Sequence, residues 1–506
     1  METELQDQNK EQRLNTSHRE IGLKSDKDLI HPSKIVILNN NDNNDNTTYE
    51  EMPERWYNLV SLCFCLFANG FQWLVFSTIS QHFSYHNEIS LWKVNMFSTI
   101  YFIIYPFLCI PEGWLIEKYN IKLTFKIAAG TTLFGSFLKI FTNFDKSLSV
   151  SYIGQIITGS FRPLLLNSPG KFAANWFREE NRILICSICY LCDICGILVG
   201  YLFSLLYFPE NMNKEVFRDK MFKYTISEFL LCYIFCIPAF FVGKEKPDKP
   251  CSLSQYKYNL RSINFIESLK DLFSNCQFIL LLIPTFFIVG YYYIMGVSFN
   301  NLMLIYGVTK TQCTIVYTVS IVIGIIASLI ISYFLNKYMK FKLFMIILCI
   351  LALVFQVFLT FLLEIVKSNK TNVYVICFIF NVLINAVVIP LYTTLMNYAC
   401  EITYAIPESL SGGIMMTMAN LCGIFGTYLF DHFINNYNTK PWISNVIIVV
   451  FFCISFVFII FFNEKLLRYD IDKEGRITKK INLKDDNNKK ENEYENEVVD
   501  VKIKQN

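Results

Sequence analysis

The stretch Ala68-Asn69-Gly70-Phe71-Gln72-Trp73 interrupts an apolar run that is otherwise Leu, Phe, Cys and Val. Read as a helix, it sets Asn69, Gln72, Trp73, Phe76, Ser77 and Ser80 at i, i+3 and i+4 spacings. They form one polar and aromatic stripe on a greasy rod. Hydrocarbon does not accommodate an amide or an indole N–H, so the stripe is expected to face a protein interior or a wet cavity. A polar helix–helix contact meets the same requirement.

What surrounds the stretch places it in a membrane. Of 506 residues, 53% are hydrophobic and only 17% charged, against about a quarter charged in soluble domains. The charges gather in tails and short connectors. Between them lie twelve apolar blocks long enough to cross about 30 Å of hydrocarbon: 56–84, 91–117, 123–143, 148–176, 183–207, 224–243, 277–306, 311–336, 343–366, 372–400, 409–435 and 441–463. The expected fold is an all-α membrane protein of two six-helix bundles, 56–243 and 277–463. A basic connector over 244–276 joins them, and polar tails, 1–55 and 464–506, are expected to be disordered. The first apolar block is too long for the h-region of a cleavable signal. The 17 Cys lie mostly inside apolar blocks, where Cys behaves as a small apolar side chain, so no disulfide is expected. A net charge of +3 gives no ground for a nucleic-acid partner.

Basic residues in short loops set the orientation. Lys118, Lys122 and Lys126, then Lys171, Arg178 and Arg182, then Lys337, Lys340 and Lys342 fall on the side of the connector. Lys214, Arg218, Lys220 and Lys223 are the exception. The majority puts both termini and the connector in the cytoplasm, with the plasma membrane as the expected location. The segment Glu117–Phe125 also reads like Asn336–Phe344, each in the loop after the second helix of its half. Such a repeat marks a two-bundle transporter with a central site and a pseudo-two-fold axis along the membrane normal. The same offset brings Trp73 onto Tyr292, beside Tyr293.

Twelve helices, the central connector and Gly113-x-x-x-Glu117-Lys118 with Lys122 together resemble the major facilitator superfamily. Four further stretches carry a closer resemblance: Asn69 to Trp73; Asn167-Ser-Pro-Gly-Lys171-Phe-Ala-Ala-Asn-Trp176; Val289-Gly290 through Tyr293 to Asn300; and Glu401-Ile-Thr-Tyr404 with Pro407-Glu408. Together they resemble the feline leukaemia virus subgroup C receptor family. That resemblance implies facilitative transport of choline and ethanolamine, with haem export as an older proposal. It implies that Trp73 and Tyr293 enclose a quaternary ammonium. The family's helper glutamines fall on Asn420 and on Ile194, next to Asp193, so the aromatic positions are kept and the amide pair is altered.

The residues supply their own chemistry. A quaternary ammonium donates no hydrogen bond and is held by charge and by π faces, each desolvated contact contributing about 2 kcal/mol. Trp73 and Tyr293 fit that need; core packing or an interfacial belt is the competing reading. Asp193 lies mid-helix, where a charge requires a cavity or a partner. Arg162, next to Pro163, offers a partner; otherwise Asp193 attracts a cationic substrate or carries a coupling proton, or a free Arg162 meets an anionic one. His82 and His86, at i and i+4, are metal or haem candidates only if a third ligand joins them. Cys186, Cys189, Cys192 and Cys195 repeat C-x-x-C, but three helical residues turn about 300°, so the thiols diverge and no zinc site is expected. Pro106, Pro111, Pro163, Pro284 and Pro390 permit kinks. No Walker loop or catalytic triad is present, so no enzyme and no cofactor is expected.

The substrate-binding set is therefore Asn69, Gln72, Trp73, Asp193, Tyr293 and Asn420. The expected activity is alternating-access transport of choline or ethanolamine by a monomer in the bilayer. Porphyrin export, or a non-transporting receptor or scaffold, are the alternatives.

Overall fold

The computed structural model describes residues 49–76, 79–143, 148–208, 213–260, 264–366, 369–436, 442–474 and 476. Most of both tails and Ser77 lie outside them. All regular structure among the described residues is helical. The first half runs α1 (Glu54–Trp73), α2 (Ser80–Asn87), α3 (Leu91–Lys139), α4 (Ser149–Ser160), α5 (Arg162–Leu166), α6 (Ser168–Trp176), α7 (Glu179–Tyr207) and α8 (Lys214–Phe240). The connector holds α9 (Leu253–Asn259) and α10 (Phe265–Ser274). The second half runs α11 (Cys276–Ile305), α12 (Lys310–Tyr338), α13 (Phe341–Val366), α14 (Lys370–Ile402), α15 (Glu408–Asn436) and α16 (Trp442–Ile460). A last helix, α17, covers 467–474.

Nine of the twelve expected crossings are long and apolar enough by themselves, among the described residues. The other three depart from simple rods for physical reasons. The block 56–84 is not one helix: α1 stops at Trp73 and α2 starts at Ser80. The carbonyls freed at the break find side-chain donors. Gln155 Nε2 reaches Gln72 O at 3.3 Å and Trp73 O at 3.4 Å, Ser98 Oγ donates to Trp73 O, and the Tyr224 hydroxyl donates to Val75 O. Interrupted backbone persists at membrane depth only when satisfied in this way. The block 148–176 is cut at Phe161 and Asn167, with Pro163 and Pro169 in the first turns that follow. Pro106, Pro111, Pro284 and Pro390, by contrast, lie inside continuing helices.

The run α3 contains two crossings. Ser98 and Phe102 touch Trp73, while Lys139 binds the neighbouring Gln72. A straight helix would set residues 102 and 139 about 55 Å apart, at 1.5 Å per residue. The chain therefore doubles back between them, around the expected loop.

Inside the first half, α1 and α7 cross at backbone contact. A Cβ at Gly196 would overlap the Phe67 carbonyl and lie 2.9 Å from Phe71 N; one at Gly70 would overlap the Asp193 carbonyl. Only glycine fits at this crossing.

The end of the molecule that carries the connector is laced by polar groups. Glu117 pairs with Lys171 at 2.9 Å and accepts from Ser409 at 2.7 Å and Tyr258 at 3.2 Å, joining α3, α6, α9 and α15. Helix α17 lies beside them. Arg468 pairs with Glu408 at 2.7 Å, and Asp472 accepts from the Ser254 amide at 2.8 Å, its hydroxyl at 2.9 Å and Arg182 at 3.3 Å. The polar tail 464–506 is expected to be disordered, but within it Arg468 and Asp472, at i and i+4, are buried in this lattice. Residues 49–55 likewise leave the expected tail and dock on the connector side, where Glu51 accepts from the Arg178 amide and Glu50 pairs with Lys249.

Candidate functional site

The last turn of α1 sends its side chains in different directions, because neighbouring helical residues diverge by about 100°. Trp73 points to the seam between the halves. Its indole N–H donates to Ser98 O at 3.2 Å, and its ring meets Phe102 at 5.3 Å and Tyr293 of α11 at 5.5 Å, both edge to face. Phe102 and Tyr293 close the triangle at 5.2 Å. The Tyr293 hydroxyl approaches Met416 Sδ at 3.7 Å, and Tyr392 approaches the same sulfur at 3.9 Å. Two aromatic rings from opposite halves thus touch directly in this conformer, with Met416 behind them.

Gln72 does not share that surface. It turns into the interior of the first half, where its amide donates to Cys232 Sγ at 2.9 Å and its oxygen accepts from Lys139. Lys139 in turn pairs with Glu228 at 2.9 Å, both fully buried, and donates to Gln155 at 3.0 Å. The expectation that Gln72 joins the substrate set meets this geometry: its hydrogen-bonding groups are committed to the Lys139 network.

Asn69 holds a position between the two environments. Its oxygen accepts from Arg162 at 2.8 Å and its amide donates to Thr158 O at 3.2 Å. Arg162 follows the break at Phe161, which swings it toward the seam. Its other terminal nitrogen pairs with Asp193 Oδ2 at 2.8 Å. The guanidinium also stacks 5.7 Å from the Trp73 ring and 5.9 Å from Tyr101. The aromatic cluster therefore already has a cation against its face, supplied by the chain, and a carboxylate within reach. Asn420 stands apart: its amide donates to Met416 O one turn back on its own helix, at 2.7 Å.

Tyr101, Phe102, Tyr392 and Met416 were not singled out from sequence. Nothing distinguishes a lone Phe or Met in a membrane block from a lipid-facing one, and only three-dimensional proximity selects them. Away from the aromatic cluster and the connector, Tyr201 donates to Gly296 O and stacks near Tyr317 at 4.8 Å. Toward the connector, Tyr105 donates to Asn167 at 2.6 Å and Thr417 to Cys109 Sγ at 3.0 Å. Glu112, buried beside Pro111, accepts from the Leu164 amide at 2.8 Å at the helix break. The cluster is layered between contacts on both sides.

His82 and His86 lie parallel, 6.5 Å apart, with His86 stacked on Phe217 at 4.7 Å. Among the described residues no three His, Cys, Asp or Glu side chains gather as a metal site. Cys186, Cys189, Cys192 and Cys195 stand along α7 as free thiols.

Comparison with known proteins bears on this architecture. The choline/ethanolamine transporter FLVCR2 of Homo sapiens is 24% identical over 82% of this chain and 78% of its own length. The choline/ethanolamine transporter FLVCR1 of Felis catus is 25% identical over 82% of this chain and 74% of its own. An uncharacterized MFS-type transporter of Caenorhabditis elegans is 25% identical over 82% and 70%. Among solved structures, the transporter FucP in its outward conformation superposes with a TM-score of 0.62 at 13% identity, covering 81% of this chain and 99% of that one. The family model for the Major Facilitator Superfamily matches residues 62–427, most of the helical core, and the chain belongs to that superfamily of membrane transporters.

Proposed function

We propose that this transporter moves a small organic cation of the choline and ethanolamine kind by alternating access, with Trp73 and Tyr293 as its binding rings. The observation that carries the reading is the contact of an indole and a phenol from opposite halves, with the Arg162 guanidinium against the indole at 5.7 Å. A protein cation on that face marks a surface where a cation is stabilised. A site built from both halves also changes shape whenever they rock apart, as alternating access requires. The relatives named as choline/ethanolamine transporters support the cargo. Basic residues on the connector side support a cytoplasmic connector and termini.

Uptake of radiolabelled choline and ethanolamine into reconstituted vesicles tests this. Trp73→Ala removes the ring that both the guanidinium and Tyr293 contact, and transport is expected to fall by more than about tenfold, while Trp73→Phe retains part of it. Undiminished uptake by a correctly inserted Trp73→Ala protein refutes the assignment.

A further inference from the structure

Resting on the reading of Trp73 and Tyr293 as binding rings, we infer that Arg162 is a built-in competitor for their site: the cargo's ammonium binds by displacing the Arg162 guanidinium from the Trp73 face.

The cation that lies against the indole is Arg162, 5.7 Å from the Trp73 ring and 5.9 Å from Tyr101. The Tyr293 hydroxyl is within hydrogen-bonding reach of the same guanidinium. One side chain thus engages both of the rings assigned to the cargo. A cation–π contact requires the cation within about 6 Å of the ring centroid, so a guanidinium and an ammonium contend for one face. The conflict is over place. Arg162 is neutralised by Asp193 at 2.8 Å, and a cation reaching the indole finds the face taken.

The anchors decide which side keeps the guanidinium. Asn69, Asp193, Trp73 and Tyr101 hold it from the first half, and Tyr293 from the second. When the halves part, it therefore stays on the indole and meets arriving cargo there. Asp193 is itself fixed, because its backbone lies against Gly70 where α1 and α7 cross. A guanidinium that swings off the ring while keeping its Asp193 bond gives up the cation–π contact and leaves no buried charge unmatched. The long arginine stem supplies the freedom for that swing. Bound cargo thus exchanges one cation for another on the indole, and its net affinity is the difference between the two.

Equilibrium binding of radiolabelled choline to the intact protein in nanodiscs tests this. Arg162→Gln combined with Asp193→Asn replaces the ion pair by an amide pair and clears the indole of its resident cation. Choline is expected to bind this variant about tenfold more tightly than wild type, the worth of one desolvated cation–π contact. Arg162→Lys keeps a charge for Asp193 but loses the planar group that stacks on the ring, and binding about threefold tighter is expected. It decides the question if the double variant does not fold. A side chain with a merely structural role would weaken binding when replaced, so the sign of the change separates the two roles. If the folded variants bind choline no more tightly than wild type, while Trp73→Ala still abolishes binding, the competitor inference is overturned and the organic-cation reading survives. If choline binding by the wild type does not depend on Trp73, both are overturned.

Discussion

Asp472→Ala perturbs a contact set whose strength follows from the geometry. The carboxylate accepts from the Ser254 amide at 2.8 Å, the Ser254 hydroxyl at 2.9 Å and Arg182 at 3.3 Å. A hydrogen bond to a charged group contributes about 1.5–3 kcal/mol, and three that share one carboxylate are not additive, so about 3 kcal/mol is a moderate figure for the set. At 1.4 kcal/mol per decade, its loss raises the open fraction of the connector segment by about a hundredfold. Cys251 reports on that segment. Its thiol donates to Asn175 O at 3.1 Å, next to Ser252, which accepts from Arg182. Burial, helped by the Glu51 carboxylate, pushes the Cys251 thiol up to about 11. Only the thiolate alkylates, so the closed segment reacts slowly and the open one, near about 8.5, reacts fast. Pulse labelling with N-ethylmaleimide, read by peptide mass spectrometry, is expected to show Cys251 modified about a hundredfold faster in Asp472→Ala, limited by the rate of the open thiol. Cys186, buried in α7, serves as the internal reference and stays protected. Equal Cys251 rates in the variant and the wild type would refute the claim that α17 fastens the connector.

Lys139→Met leaves the Glu228 carboxylate buried without its cation and is expected to cost about 3–5 kcal/mol; adding Glu228→Met restores most of it. Unfolding midpoints in detergent give the comparison, and a single variant as stable as wild type would count against the network. Gly196→Ala drives a methyl into the Phe67 carbonyl, which belongs to backbone and cannot yield, and about 3 kcal/mol or more of destabilisation is expected. Gly243→Ala, where a Cβ meets nothing within 4 Å, is the neutral control in the same melts.

The sequence revealed the membrane architecture because hydropathy reports on each block independently of the others. It did not reveal the break after Trp73. Residues 74–79 contain neither Gly nor Pro, and the freed carbonyls are held by Gln155, Ser98 and Tyr224 from distant segments. Pro163, one of five prolines read as permitting kinks, accompanies the break in the fourth block, where the cause is local. Within the candidate site, Trp73 is legible as an indole in a greasy helix, whereas Tyr293 is indicated by the family resemblance and by its place beside Tyr292, onto which the repeat offset brings Trp73. Gln72 was grouped with Trp73 because a helical stripe spans more than one neighbour's direction, and the two side chains divide between seam and interior. Helix α17 was hidden by the composition of the longer tail around it. The signal was there, in Arg468 and Asp472 one turn apart beside Leu466, Leu467 and Ile471.

The glycine crossing of α1 and α7 bears on how cargo is handed over. With Gly70 against Asp193 and Gly196 against Phe67, no layer of side chains separates the two rods, so neither slides without breaking backbone contact. Trp73 and Asp193 consequently travel as fittings on a single keel. On the proposed reading of the site, the gap that admits or releases cargo forms between that keel and the Tyr293 side, and the indole–phenol spacing is then the natural gauge of the transport cycle.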